Sequence, residues 1–125
     1  GLERIHFHNF DYYICLTKRS QRTSPKRTRQ AMILSAVIAA QRAETGSVGN
    51  KTTFSSAKAI SISEEGLAQM AALAKHISAP SNFMKTGIAE YNDYNVIFLP
   101  TKVVSDPVST VGLGDTISSI AFLSE

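Results

Sequence analysis

The chain has a single cysteine, Cys15, which excludes an internal disulfide; set in an apolar run, it is expected as a buried thiol. No apolar run approaches the ~20 residues that a membrane helix needs. The sequence opens directly on a strand-like pattern, without signal-peptide architecture, so the cytoplasm is the expected location. The P-loop pattern Gly-x-x-x-x-Gly-Lys-Ser/Thr is missing, as are internal repeats and low-complexity tracts. One short window concentrates the positive charge. Lys18, Arg19, Arg22, Lys26, Arg27 and Arg29 fall within twelve residues that hold no carboxylate, so the overall charge of +3 belongs to this segment and the remainder is net negative. Nothing aromatic is interleaved with these charges, as nucleic-acid grooves usually require, which favours a solvated basic loop over a nucleic-acid interface.

What remains is an ordinary globular composition, 43% hydrophobic and 18% charged over 125 residues. That is enough for one domain with a real core, spanning 1–125, and too little for two. Arg4 to His8 alternates Ile5 and Phe7 against His6 and His8, and reads as a strand. The two histidines share one face. A metal pair is one reading, but no third ligand lies at a recognisable spacing, and hydrogen-bonded histidines at a strand end are favoured. Asn9-Phe10-Asp11 is a turn, and Tyr12 to Thr17 is a second strand rich in β-formers.

Lys18 to Thr23 reads as a polar linker, and Ser24-Pro25 as a helix start with serine as cap. Ala31 to Ala43 is apolar nearly all round, as in a helix covered on several sides within an α/β layer. Residues 44–59 lack a period and read as a surface connection. Ser61-Ile62-Ser63-Glu64 fits a capping box, and Leu67, Met70, Ala71, Ala74 and Ile77 form an apolar stripe at helical spacing. Gly87 to Tyr91 and Tyr94 to Leu99 read as strands of a hairpin turning at Asn92-Asp93. Val96 to Leu99, continuously apolar, predicts a strand covered on both faces. Pro100 breaks it, Lys102 to Val104 is extended, and Ser105-Asp106-Pro107 is a turn.

The chain then reaches Thr110-Val111-Gly112-Leu113-Gly114-Asp115-Thr116, where a helical pattern begins with Thr116, Ile117, Ile120, Ala121 and Phe122. Glycines permit a tight turn and close approach of a ligand to the main chain. The first amides of a helix lack intrahelical acceptors and favour negative charge. Together these predict an anion pocket with a carboxylate at its rim, the equipment for phosphoryl transfer to a hydroxyl. Taken alone, such a string also fits a turn-to-helix junction whose glycines serve geometry only.

The stretch from Pro100 to Ser118, with Gly112-Leu113-Gly114-Asp115 at its heart, resembles the C-terminal signature of the ADP-dependent glucokinases and phosphofructokinases, a branch of the ribokinase-like superfamily. Gly1-Leu2-Glu3-Arg4-Ile5-His6-Phe7-His8 resembles a second stretch of that family, in the same order. The resemblance implies the C-terminal part of a ribokinase-like α/β domain, a central sheet flanked by helices, with further strands upstream of Gly1. It implies Asp115 as the base for the sugar hydroxyl, near the metal, and the amides of Gly112, Leu113 and Gly114 as the anion hole. It implies that His8, Asn9, Val104 and Gly114 contact the nucleotide; Asn9 stands where the family often has threonine. ADP as donor, Mg2+ as metal, AMP as product and a hexose or hexose phosphate as acceptor follow from the same likeness. The family's magnesium-associated acidic motifs and sugar-binding residues are not in this chain, so it is expected to be inactive alone and to need the upstream part of the kinase. The rival reading is a non-catalytic nucleotide-binding or interaction module derived from a kinase.

Overall fold

A computed structural model describes residues 1–46, 61–105, 107–108 and 112–124. Strands β1 (Arg4–His8), β2 (Tyr12–Lys18), β3 (Ile88–Tyr91) and β4 (Tyr94–Pro100) form one sheet in the order β1-β2-β4-β3. Every pairing is antiparallel. Helices α1 (Pro25–Thr45), α2 (Glu64–His76), α3 (Phe83–Thr86) and α4 (Leu113–Leu123) complete the described elements. The α/β architecture expected from the sequence, a sheet flanked by helices, is the one observed.

The sheet is buried on both faces at β4, because Val96, Ile97 and Phe98 leave neither face polar. Ile97 packs with Tyr13 and Cys15 against Met32 and Ala39 of α1 and Ile117 and Ala121 of α4. Val96 and Phe98 face the other way, joining Ala89, Met70 of α2 and Phe83 of α3. Tyr12 stacks on Phe98 with ring centroids 5.1 Å apart. Two cores thus share one central strand, and Cys15 is buried as expected.

Local chemistry fixes the element ends. Ser24 caps α1 by accepting from Arg27 N–H, with Pro25 opening the first turn. α1 runs past Ala43 to Thr45 and stops at Gly46 in the left-handed region (φ 76°), so the connection expected from Glu44 begins later. The rest of that connection, 47–60, lies outside the described residues. The β3–β4 hairpin turns at Asn92 (φ 52°) and Asp93, as the sequence predicts.

Several expectations are corrected. The cap of α2 is Ser63, not Ser61, and the residue three positions on is Gly66, so no reciprocal box forms. In its place Ser63 Oγ accepts from Gly66 N–H and donates to Asp11 Oδ1. The stripe on α2 is narrower than predicted: Met70 is buried, while Leu67 and Ala71 are exposed. α1 is not apolar-covered all round, since Leu34 faces solvent. α4 begins at Leu113 rather than Thr116, which draws Gly114 and Asp115 into its first turn, and its Phe122 is exposed. Lys18 belongs to β2, and Arg19 pairs with Glu90 at 2.9 Å, so the basic window is not wholly unopposed. Helix α3 carried no recognised sequence signal.

Gly66 shows how tightly α2 docks. A Cβ there would lie 2.2 Å from the backbone oxygen of Asp11, a group with no freedom to move aside. Alanine is the better helix former by about 1 kcal/mol. The clash outweighs that gain, so Gly66→Ala should lower stability by about 1–3 kcal/mol, the usual cost of overpacking. Urea unfolding measures this, and a variant as stable as the parent would contradict the close docking.

Candidate active site

Three pieces of chain converge at one end of the sheet. The first is the β1–β2 turn. Asn9 Oδ1 accepts from the amides of Asp11 (2.9 Å) and Tyr12 (2.8 Å), while Asn9 N–H donates to Tyr12 O. This is the side-chain turn that asparagine is suited to make. The Asn9 oxygen is therefore spent on the turn, and its NH2 group is what remains for a ligand.

The second piece is the segment after β4. Thr101 N–H donates to Asp11 O at 2.8 Å, and Thr101 Oγ1 donates to Phe10 O at 2.6 Å. Thr101 O accepts from Ser63 N–H, Val103 N–H donates to Ser61 O, and Lys102 bridges to Ile62. Thr101 to Val104 is thus clamped between the turn and the approach to α2. Of the turn expected at Ser105-Asp106-Pro107, Asp106 lies outside the described residues.

The third piece is the start of α4. Gly112 is its N-cap with φ 73°, a conformation that glycine adopts without strain, and no side chain caps the helix. The first intrahelical bond runs from Thr116 N–H to Gly112 O at 3.0 Å. The amides of Leu113, Gly114 and Asp115 consequently precede the helical ladder and are left for other acceptors. The amide of Gly112, expected beside those of Leu113 and Gly114 in the anion hole, belongs to the cap residue itself. Asp115 is exposed in the first turn, where the helix dipole suits an acidic residue. Thr110 and Val111 lie outside the described residues.

Between these pieces opens a cleft of about 410 Å3. Its floor is α1, through Ala36, Ala39, Ala40 and Ala43, and its walls include Val103, Val104 and Ile117. Five of the sequence-predicted site residues line it: His8, Asn9, Val104, Leu113 and Gly114. Gly112 and Asp115 are not part of the lining; they flank it in the same helical turn. A Cβ on Gly114 would lie 3.0 Å from His8 Cε1, so the glycine lets the imidazole close against the helix. His8 Nε2 lies 3.4 Å from Ser118 Oγ. The result is an apolar cleft that leads to amides left outside the helical ladder at a helix N-terminus.

Sequence reasoning missed two contributors. Arg42, in the last turn of α1, donates from Nη1 to Thr116 Oγ1 at 2.6 Å and lies 3.5 Å from Gly112 O. Thr116 Oγ1 donates in turn to Gly112 O at 2.9 Å. The only sequence signal was a basic residue near a helix C-terminus, which is too common to single out. Asp11 was read as turn punctuation, yet its carbonyl and carboxylate join the turn to Thr101 and Ser63.

His6 is the hydrogen-bonded histidine that the sequence favoured. Its Nε2 accepts from Arg4 Nε, which leaves the ring proton on Nδ1, 2.6 Å from Tyr13 Oη. Cys15 Sγ is 3.4 Å from the same Nε2. Burial, then the charges of Arg4 and His8, push the His6 imidazole down to about 4. Burial raises Tyr13 well above its ordinary value and pushes the Cys15 thiol up to about 11. Between about 4 and 6.5 the unfolded chain takes up a proton at His6 that the folded chain refuses, so this residue's contribution is present above 6.5 and is lost as the pH falls. Urea midpoints measured across that window should fall more steeply for the parent than for His6→Asn; parallel slopes would remove His6 from the acid response.

Residues 1–124 match the family model for the ADP-specific phosphofructokinase/glucokinase conserved region. The chain is 38% identical over its whole length to an ADP-dependent glucose/glucosamine kinase of Pyrococcus abyssi, of which it covers 26%. It is 32% identical to an ADP-specific phosphofructokinase of Methanosarcina acetivorans, with 98% of this chain and 26% of that protein aligned. Among solved structures, the last common ancestor of ADP-dependent phosphofructokinases from Methanosarcinales superposes with a TM-score of 0.90 at 35% identity, over 98% of this chain and 26% of that one. An ADP-dependent kinase in complex with fructose-6-phosphate and ADPβS superposes with a TM-score of 0.88 at 34% identity, over 98% and 27%. The chain thus spans about a quarter of the length of the relatives it matches.

Proposed function

This chain belongs to the ADP-specific phosphofructokinase/glucokinase family, and from that membership we propose that it is the C-terminal quarter of an ADP-dependent hexose or hexose-phosphate kinase, the single domain piece 1–125 that carries the catalytic base and part of the nucleotide site. One observation carries the reading: an apolar cleft ends at the unconsumed amides of α4, with a carboxylate in the same turn. The adenine lies in the slot beside Val104 and His8, and the NH2 group of Asn9 is available to it. The phosphates reach Gly114, where the absence of a side chain lets them approach the main chain.

Asp115 accepts the proton of the acceptor hydroxyl as that oxygen attacks the β-phosphorus of ADP. The bond between the β-phosphorus and the oxygen bridging to the α-phosphate breaks, and AMP leaves with the electron pair. The amides of Gly112, Leu113 and Gly114, with that of Asp115 beside them at the start of α4, stabilise the charge on the transferred group. Mg2+ fits the donor set only in part: Asp115 would offer one exposed carboxylate, and its other ligands would have to come from the nucleotide, water or the upstream part of the protein. When bound, Mg2+ neutralises charge on the phosphoryl oxygens.

The acceptor is held by the upstream part of the same kinase, so the 125 residues alone turn over neither glucose nor fructose 6-phosphate. The apolar outer face of β1, where Ile5 and Phe7 are exposed, supports a further partner element on that side. No described helix is long and apolar enough to cross a membrane. A sugar kinase of this kind works in the cytoplasm.

In the full-length protein, Asp115→Asn should lower kcat at least ~100-fold while ADP affinity changes far less, because the base is lost and the cradle kept. Gly114→Val should instead weaken ADP binding, since its Cβ meets His8 and its branches block the phosphate approach. Coupled assays and calorimetry separate the two effects. An Asp115→Asn enzyme with most of its kcat would reduce Asp115 to a helix-end residue and favour the non-catalytic nucleotide-binding module.

A further inference from the structure

Most helix N-termini are held by a serine, threonine, aspartate or asparagine whose side chain accepts from an early amide. Such a cap rigidifies the end but consumes one of the donors. α4 has a glycine at the cap and no side-chain cap. Its start is instead held from behind by α1. The Arg42 guanidinium reaches both Thr116 Oγ1 and Gly112 O, and Thr116 Oγ1 closes the triangle onto Gly112 O. A Cβ on Gly112 would lie 3.1 Å from Arg42 Nη2, so the guanidinium sits flush against the cap glycine. The next residue of α1 fixes the other end of the loop, with Ala43 O accepting from Val108 N–H at 2.7 Å.

The charge is informative too. Among the described residues no carboxylate pairs with Arg42, which donates to the Thr116 hydroxyl and the Gly112 carbonyl. It is half-buried and stands beside the positive end of the α4 dipole, an unfavourable place for a cation. A bound polyanion in front of α4 relieves both at once.

We propose that Arg42 is a positioning residue for the phosphoryl-binding loop: it fixes Gly112 and Thr116 through acceptor atoms, leaves the amides of Leu113, Gly114 and Asp115 free for phosphate, and adds positive potential without touching the ligand. This rests on the kinase reading above. It differs from a structural role in that the loop's aim, rather than the fold, depends on the guanidinium fork. Lysine keeps the charge but cannot reproduce the fork.

The test uses the full-length protein, with ADP as the probe and Asp115→Asn run in parallel. Arg42→Met should fold and lower kcat by about 100-fold, the scale of a lost oxyanion donor, with the acceptor KM unchanged and ADP affinity weakened. Arg42→Lys should recover ADP affinity but not kcat. Thr116→Val should lower kcat in the same direction, and adding it to Arg42→Met should cost nothing further, because the two residues act as a unit. Parental kcat in Arg42→Met, or losses that multiply in the double variant, would overturn the proposal. If Arg42→Met does not fold, Arg42→Lys decides: a parental kcat there overturns it, and a lowered kcat with intact ADP affinity supports it. An inactive Asp115→Asn beside a fully active Arg42→Met sinks this assignment alone, whereas a fully active Asp115→Asn removes the kinase reading beneath it.

Discussion

The constraint on which the structure depends is that β4 must be covered twice. Three consecutive apolar residues, Val96, Ile97 and Phe98, cannot all turn inward on a one-sided sheet, because successive side chains point to opposite faces. Burying both faces calls for a helical layer on each, α1 with α4 on one and α2 with α3 on the other. A fully buried side chain of this size contributes roughly 1.5–3 kcal/mol. The strand that follows from this pattern sets the depth at which everything else is hung.

The cleft is a by-product of that layering. α1 and α4 lie on the same face and close over Ile97 and Tyr13, but where the sheet ends they have only chain turns to meet. Those turns are stiffened by short polar bonds: Asn9 to its own turn, Asp11 to Thr101 and Ser63, Thr101 to Phe10. Each bond gives a backbone or side-chain group a partner within the protein, the exposed turn at Asn9 as well as the part-buried contacts of Asp11 and Thr101. The walls of the site are thus held by the same accounting that holds a protein interior, and the amides at the start of α4 are the groups it leaves open.

Much of this was legible in the residues. Alternation marked β1, a run of β-formers marked β2, Ser24-Pro25 marked the start of α1, Asn92-Asp93 the hairpin, and the run from Val96 a strand buried on both faces. His8, Asn9, Val104, Leu113 and Gly114 were expected in one site and line one cleft. What escaped depends on contacts between distant elements. Gly66 looked like an ordinary helical residue until Asp11 was packed on it, and Ser63 displaced Ser61 as the cap because its hydroxyl also reaches Asp11. Leu67 was counted into an apolar stripe, yet periodicity cannot say how wide a strip the sheet covers. Arg42 and Thr116 are seventy-four positions apart, a pairing that no local pattern encodes.

The four alanines that α1 turns toward the cleft have a consequence of their own. Their methyl groups make no hydrogen bond and hold no loop, so the width of the slot is set by side chains that are small rather than by any that reach in. Under the proposed kinase reading, size discrimination at the apolar end of the cleft would be tuned by single substitutions on one helix, while the amides and the carboxylate at the far end stay where they are. The width of the slot and the polar groups at its end are thus written on separate elements, α1 and α4, free to change one at a time.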